Sequence, residues 1–141
     1  MIRIAPDLLA DINAQAVAAY PRECCGLLVG RLSVNGSITI NRVVASANTA
    51  SGDTFDTFEI DPQVRFDLMR AVADGADEIV GHYHSHPDQP AEPSQTDLDM
   101  AFEPDFVWLI TAVTDTGPKR TQAWRLNRDT RDALSLDLVI A

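Results

Sequence analysis

The three histidines of this 141-residue chain stand at alternate positions, in the run His82-Tyr83-His84-Ser85-His86. That spacing suits metal binding. In an extended strand successive side chains point to opposite faces, so the three imidazoles share one face, with neighbours about 6.6 Å apart in rise. Side chains two apart can converge on one ion near the strand's end. Imidazole nitrogen suits zinc, at about 2.0–2.1 Å, but two ligands are insufficient. A third must come from nearby, and the following segment offers Asp88, Glu92, Asp97 and Asp99. Ser94-x-x-Asp97 also reads as a helix-opening capping pattern. Both roles can hold, with Ser94 starting the helix and Asp97 turned toward the metal from its first turn. Sulfur chemistry is the rival reading, since Cys24 and Cys25 are adjacent. With no histidine outside the cluster to activate a thiol, they read as packing residues.

The elements that must carry these groups follow from local pattern. Pro6 suits the first position of a helix with Leu8, Leu9, Ile12 and Ala16 on one face, ended by Tyr20-Pro21. Gly26–Gly30 reads as a short buried strand, joined through the Asn35-Gly36 hairpin signal to a strand over Ser37–Val44. Ala45 to Asp56 is a polar loop, and Phe55–Ile60 alternates like a strand. Asp61-Pro62 then opens a second helix as N-cap and first residue, with Val64, Leu68, Ala71 and Val72 inward and Gly75 as its stop. Glu78–His84 is the histidine strand, and Ser94 to about Phe102 is a short helix. Phe106–Val113 is a central strand apolar on both faces. Arg120–Leu126 follows the Asp115-Thr116-Gly117 turn, and Leu134–Ile140 is a last strand or helix. Helices and strands interleave, which predicts an α/β fold with a mixed β-sheet flanked by helices and one domain over residues 1–141.

Composition narrows the function classes. The chain is 45% hydrophobic and 23% charged, ordinary for a globular protein. Its formal net charge is −10 and its 11 Lys and Arg are scattered, which argues against nucleic acid as a partner. No run of 18 apolar residues occurs, so no membrane-spanning helix is expected. The start shows no secretory pattern, and two adjacent cysteines cannot staple a fold, so a reducing, cytoplasmic setting is the default.

On these elements His84-x-His86, seven residues, then Ser94-x-x-Asp97 resembles the metal motif of the JAMM (MPN+) metalloprotease family. Pro87 follows the second histidine as in that family's HSHP signature. Glu23, in Pro21-Arg22-Glu23-Cys24-Cys25-Gly26-Leu27-Leu28-Val29-Gly30, is similar to its upstream glutamate, and Phe58-Glu59-Ile60-Asp61-Pro62 to its entry into the second helix. The resemblance runs from Glu23 to the strand holding Trp124. It implies the JAMM/MPN fold, which is cytidine-deaminase-like. It also implies Zn2+ held by His84, His86 and Asp97, with the fourth position open to a water of lowered pKa. Glu23 would be the general base and Ser94 the donor to the tetrahedral oxyanion. His82 lies outside the required pair and reads as a site neighbour or core residue.

Members of this family cut after the C-terminal Gly-Gly tail of ubiquitin or ubiquitin-like proteins. The short Ala45–Asp56 loop and the few residues between Phe102 and Phe106 leave little room for the two insertions of the ubiquitin-specific members. The chain therefore looks like the minimal stand-alone prokaryotic type, similar to enzymes that process sulfur-carrier proteins and release a C-terminal residue or adduct such as cysteine. A homodimer is compatible with this reading. Three alternatives stay open: hydrolysis of small amides, a deaminase-like reaction, and a metal-free MPN interaction module. The deaminase reading lacks its P-C-x-x-C zinc segment, and the module reading sits badly with a full set of ligands.

Overall fold

The apolar run after Cys24 builds a strand that is covered on both faces. Leu28 packs into a cluster with Ile12, while Leu27 and Val29 pack with Leu68 on the other side. The computed structural model describes residues 1–141 and arranges them as β1 (Ile2–Ile4), α1 (Pro6–Ala19), β2 (Cys25–Leu32), β3 (Ile38–Ser46), α2 (Pro62–Val72), β4 (Glu78–Pro87), α3 (Gln95–Asp99), β5 (Val107–Thr114), β6 (Gly117–Asn127), β7 (Asp132–Leu136) and β8 (Leu138–Ile140). All eight strands join one mixed sheet in the order β7-β6-β5-β4-β2-β3-β1-β8. Its two outermost strands are separated in sequence only by Asp137. Strands at opposite ends of the order can be so close in the chain only if the sheet curls round, and α1 fills the hollow. Ile12 of α1 meets Ile2, Ile4, Ile40, Tyr83 and Leu109 there, in the largest apolar cluster. No helix is long and apolar enough to cross a membrane.

The second face carries α2 and the site. Leu68, Val64 and Val72 of α2 pack on Leu27, Val29 and Ile79, and Asp61 caps the helix by accepting from Gln63 N–H. The histidine strand lies at the middle of the sheet, antiparallel to β2 and parallel to β5. Leu28 pairs with Gly81 but Val29 with Ile79, so Val80 is an extra residue in β4. Such an insertion switches the alternation of every residue beyond it. Ile79 faces α2, whereas Val80 and Tyr83 both face the α1 core. His82, His84 and His86 thereby fall on the α2 side.

Several expectations change. β1 and the split of the last segment into β7 and β8 were not legible locally, because both β1 pairings are parallel and join residues far apart in sequence. Phe55–Ile60 is not a strand; only Ile60 bridges to Asn48. The Asn48 side chain supplies the bonds a ladder would have, accepting from Glu59 N–H and donating to the carbonyl of Thr57. Ala71 is exposed, and the third helix stops at Asp99 rather than near Phe102.

Gly81 marks the closest approach of β4 to β5, since a Cβ there would lie 2.0 Å from the carbonyl oxygen of Val107. Backbone cannot give way as a flexible side chain can. Gly81→Ala should cost about 2–3 kcal/mol or more of stability, read as a lower midpoint in urea unfolding. An unchanged midpoint would show that the two strands can separate freely there.

Candidate metal centre

Strand alternation brings His84 and His86 to one point, and a cap brings the carboxylate. Ser94 is the N-cap of α3: its hydroxyl accepts from Asp97 N–H at 3.1 Å, while Asp97 Oδ2 accepts from Ser94 N–H at 3.0 Å. This reciprocal capping box turns the Asp97 carboxylate inward. Asp97 Oδ1 then lies 3.2 Å from His84 Nε2, and Oδ2 lies 3.0 Å from His86 Nε2. The two Nε2 atoms are themselves 3.0 Å apart. All three side chains are buried, and their ligand atoms lie within 4.8 Å of one another.

The donor set fits a cation. His86 Nδ1 is 2.9 Å from the carbonyl oxygen of Pro90. A carbonyl only accepts, so Nδ1 donates to it, which leaves Nε2 as the ring nitrogen that faces Asp97. Burial pushes the pKa of His84 down, against the opposing pull of Asp97, which favours the neutral ring there too. Burial also disfavours a charged Asp97, but His84, His86 and the Ser94 N–H outweigh it and hold that carboxyl well below the usual range. Two imidazole nitrogens and a carboxylate therefore crowd one dry spot. A cation held by two nitrogens and one oxygen resolves this, and that donor set suits zinc among other divalent metals.

Glu23 comes to the same region from the end of the loop before β2. Its side chain is 4% exposed and Oε1 has no partner. Its backbone is fixed on both sides, by N–H to the Thr54 carbonyl and by Asn48 Nδ2 to its own carbonyl. Burial, then the charges of Asp97 and Asp56, push its pKa up to about 9. Ser85 ties this segment to the histidine strand, its hydroxyl accepting from Cys24 N–H at 2.8 Å.

The remaining candidates stay apart from the donor set. His82 packs edge-on against Phe58, Phe106 and Trp108, and burial lowers its pKa to about 3, so it is a neutral ring. Both cysteines are free thiols. Burial raises the pKa of Cys24, and raises that of Cys25 to about 12, where it borders the carbonyls of Ser46 and Ala47. Neither is an activated nucleophile. Asp88, Glu92 and Asp99 do not join the cluster; Asp88 instead accepts from the Tyr20 hydroxyl at 2.8 Å. Sequence reasoning missed Pro90, Phe58 and Asn48, whose contributions are a carbonyl, a ring face and a loop clamp. None leaves a local pattern.

Comparison with known proteins gives a consistent result. The family described as prokaryotic homologs of the JAB domain matches residues 5–127. A desampylase from Haloferax volcanii is 31% identical over 106 residues, spanning 73% of this chain and 71% of its own. The CysO-cysteine peptidase of Mycobacterium tuberculosis is 30% identical over 123 residues, spanning 87% and 81%. A solution structure from Desulfitobacterium hafniense superposes with a TM-score of 0.85 at 25% identity, covering 100% of this chain and 93% of that one.

Glu23 gives the metal-free protein a distinctive pH dependence. Its folded pKa of about 9 lies above the ordinary 4.5, so its contribution is complete below pH 4.5 and is lost as pH rises toward 9. By pH 7.5 an unfolded histidine of pKa 6.5 is largely deprotonated, and folded His82 and His84 have still lower pKa values, which leaves pH 7.5–8 as the clean window. Chelator-treated protein should lose about 1.4 kcal/mol per pH unit there from this group. Glu23→Gln should flatten the slope and be more stable at pH 8, by on the order of 5 kcal/mol. Parallel urea-derived profiles for the two proteins would refute this account of Glu23.

Proposed function

Since the chain belongs to the prokaryotic JAB-domain family, we propose that it is a zinc-dependent peptidase or isopeptidase cutting after the Gly-Gly tail of a ubiquitin-like or sulfur-carrier protein. The convergence of His84, His86 and Asp97, with the unpartnered Oε1 of Glu23 buried in the same region, carries this reading. His84 Nε2, His86 Nε2 and an Asp97 oxygen would hold the zinc. A zinc ion so held supplies Lewis acidity, polarising a scissile carbonyl and lowering the pKa of water toward 7.

The chain's own groups do the rest. Glu23 takes a proton from the attacking water and returns it to the departing amine. Its raised pKa suits both halves of that cycle, because the carboxyl can be charged when it accepts and neutral when it donates. A nearby dication shifts the balance toward the charged form. Ser94 uses one lone pair to accept from Asp97 N–H, which leaves its hydroxyl proton free to donate to an oxyanion. Half-buried Ser94 opens α3 next to Asp97. His84 and His86 act as neutral ligands, and the dry surroundings strengthen every one of these interactions.

The relatives favour a protein substrate over small amides. One is named for cleaving CysO-cysteine and another as a desampylase. A sulfur carrier bearing a C-terminal cysteine or a conjugate fits the short loops. The free thiols of Cys24 and Cys25 fit a reducing cytoplasm. A non-catalytic module is disfavoured by the complete donor set.

Two measurements decide. Glu23→Gln should lower kcat by about 10²–10⁴-fold while zinc content and substrate affinity stay near wild type; near-normal turnover with zinc bound would remove Glu23 from the mechanism. The His84→Ala, His86→Ala double variant should lose its zinc, and full occupancy would defeat the ligand assignment. Separately, a ubiquitin-fold protein with an extended Gly-Gly tail should be cut far faster than its isolated tail peptide, because a folded body supplies remote binding energy. Equal rates would return small amides to favour.

A further inference from the structure

His84 and His86 are oriented by different means. His86 places its second nitrogen against the carbonyl of Pro90. The Nδ1 of His84, on a side chain that is 0% exposed, meets no partner. A metal-binding imidazole is ordinarily set by a hydrogen bond from its other nitrogen. Without one, rotation about the terminal ring torsion is soft.

What His84 has instead is a ring face. Phe58 lies parallel to it, with centroids 4.3 Å apart and planes at 19°. Trp108 closes the edge at 5.7 Å and 81°. Phe58 is itself braced edge-on by His82 at 5.5 Å and by Trp108 at 6.0 Å. Its backbone is clamped on either side, since Asn48 donates to Thr57 O at 3.0 Å and accepts from Glu59 N–H at 3.1 Å. A loop residue 26 positions away from its stacking partner is thus clamped through the backbone of both its neighbours.

We propose that Phe58 is the positioning residue for His84, its stacked ring fixing the imidazole plane as the Pro90 carbonyl fixes that of His86. His82 then has a role as a brace behind Phe58, edge-on to its ring, and supplies no ligand. The proposal rests on His84 being a metal ligand.

The test is zinc affinity, read by competition with a chromophoric chelator and independent of catalysis. Wild type, Phe58→Ala, Phe58→Leu, Phe58→Tyr and His84→Ala are compared, with circular dichroism establishing the fold of each. An aromatic pair is worth about 0.5–1.5 kcal/mol, or about 2- to 12-fold in affinity. Phe58→Ala and Phe58→Leu should weaken zinc binding by threefold or more, and Phe58→Tyr should stay within twofold of wild type. Leucine keeps most of the volume, so it serves if the alanine variant fails to fold. Binding by Phe58→Leu within threefold of wild type, or by Phe58→Tyr as weak as the leucine variant, overturns the positioning role. A wild-type protein that takes up no zinc, or His84→Ala that binds it unchanged, overturns the metal assignment itself and the inference with it.

Discussion

Everything chemical in this molecule depends on the register of β4 between its two neighbours. Val80 is one residue more than β2 can pair with. Beyond it, residues that would have pointed into the α1 core point toward α2 and α3 instead. Tyr83 therefore takes the core position, its hydroxyl donating to Gln15 Oε1 at 2.6 Å, and the histidines take the opposite face. Had the ladder run without the extra residue, His84 and His86 would be buried against Ile12. Asp97 would then lie on the wrong side of the sheet. Gly81 secures this arrangement, because the backbone of β5 occupies the space its side chain would need.

The site so positioned is electrostatically incomplete as a set of side chains. Buried polar groups are normally paired, yet Glu23 Oε1 and His84 Nδ1 are not. Asp97 is held ionised, and burial first and then the Asp97 charge push the proton affinity of Glu23 upward. Two buried carboxyls near one another ordinarily destabilise a fold unless one is neutral or a cation separates them. With its pKa pushed up to about 9, Glu23 is neutral at pH 7 and meets that condition. The Ser85 hydroxyl joins the Glu23 segment to the histidine strand, and from Gly81 to His84 the β2, β4 and β5 ladder runs without interruption. Stability given up at the site is recovered by the apolar clusters on both faces of the sheet.

The local half of this was legible in the sequence. Pro6 and Asp61-Pro62 act through backbone geometry at their own positions, and the structure uses each where expected. Asn35-Gly36 does lie between β2 and β3, but within a five-residue loop, Ser33 to Ser37, and not as a two-residue turn. Strand spacing made His84 and His86 candidates but left Asp88, Glu92, Asp97 and Asp99 open as the third group; only the resemblance singled out Asp97, whose carboxylate the fold brings to both imidazoles. The nonlocal half was not. Parallel pairing of β1 with β3 and β8 has no signature in a three-residue strand. Phe55–Ile60 alternates as a strand does, but Asn48 takes its hydrogen bonds from the side. A strand pattern states which face is apolar and leaves open whether any partner has a free edge.

The Pro-rich loop between β4 and α3 shows how such nonlocal contacts reach the chemistry. Pro90 lends the carbonyl that sets the His86 tautomer, and proline restricts its own backbone without fixing where the loop lies. Trp124 of β6 does that: its indole N–H donates to the Ala91 carbonyl at 3.0 Å. Ala91 is buried against Ile110 and Ala112, the β5 residues that sit beside His84 and His86 in the sheet. The strand pairing that aims the histidines thus also builds the floor on which the loop rests. One ladder thus supports both His86 and, through Ala91, the loop whose carbonyl orients it.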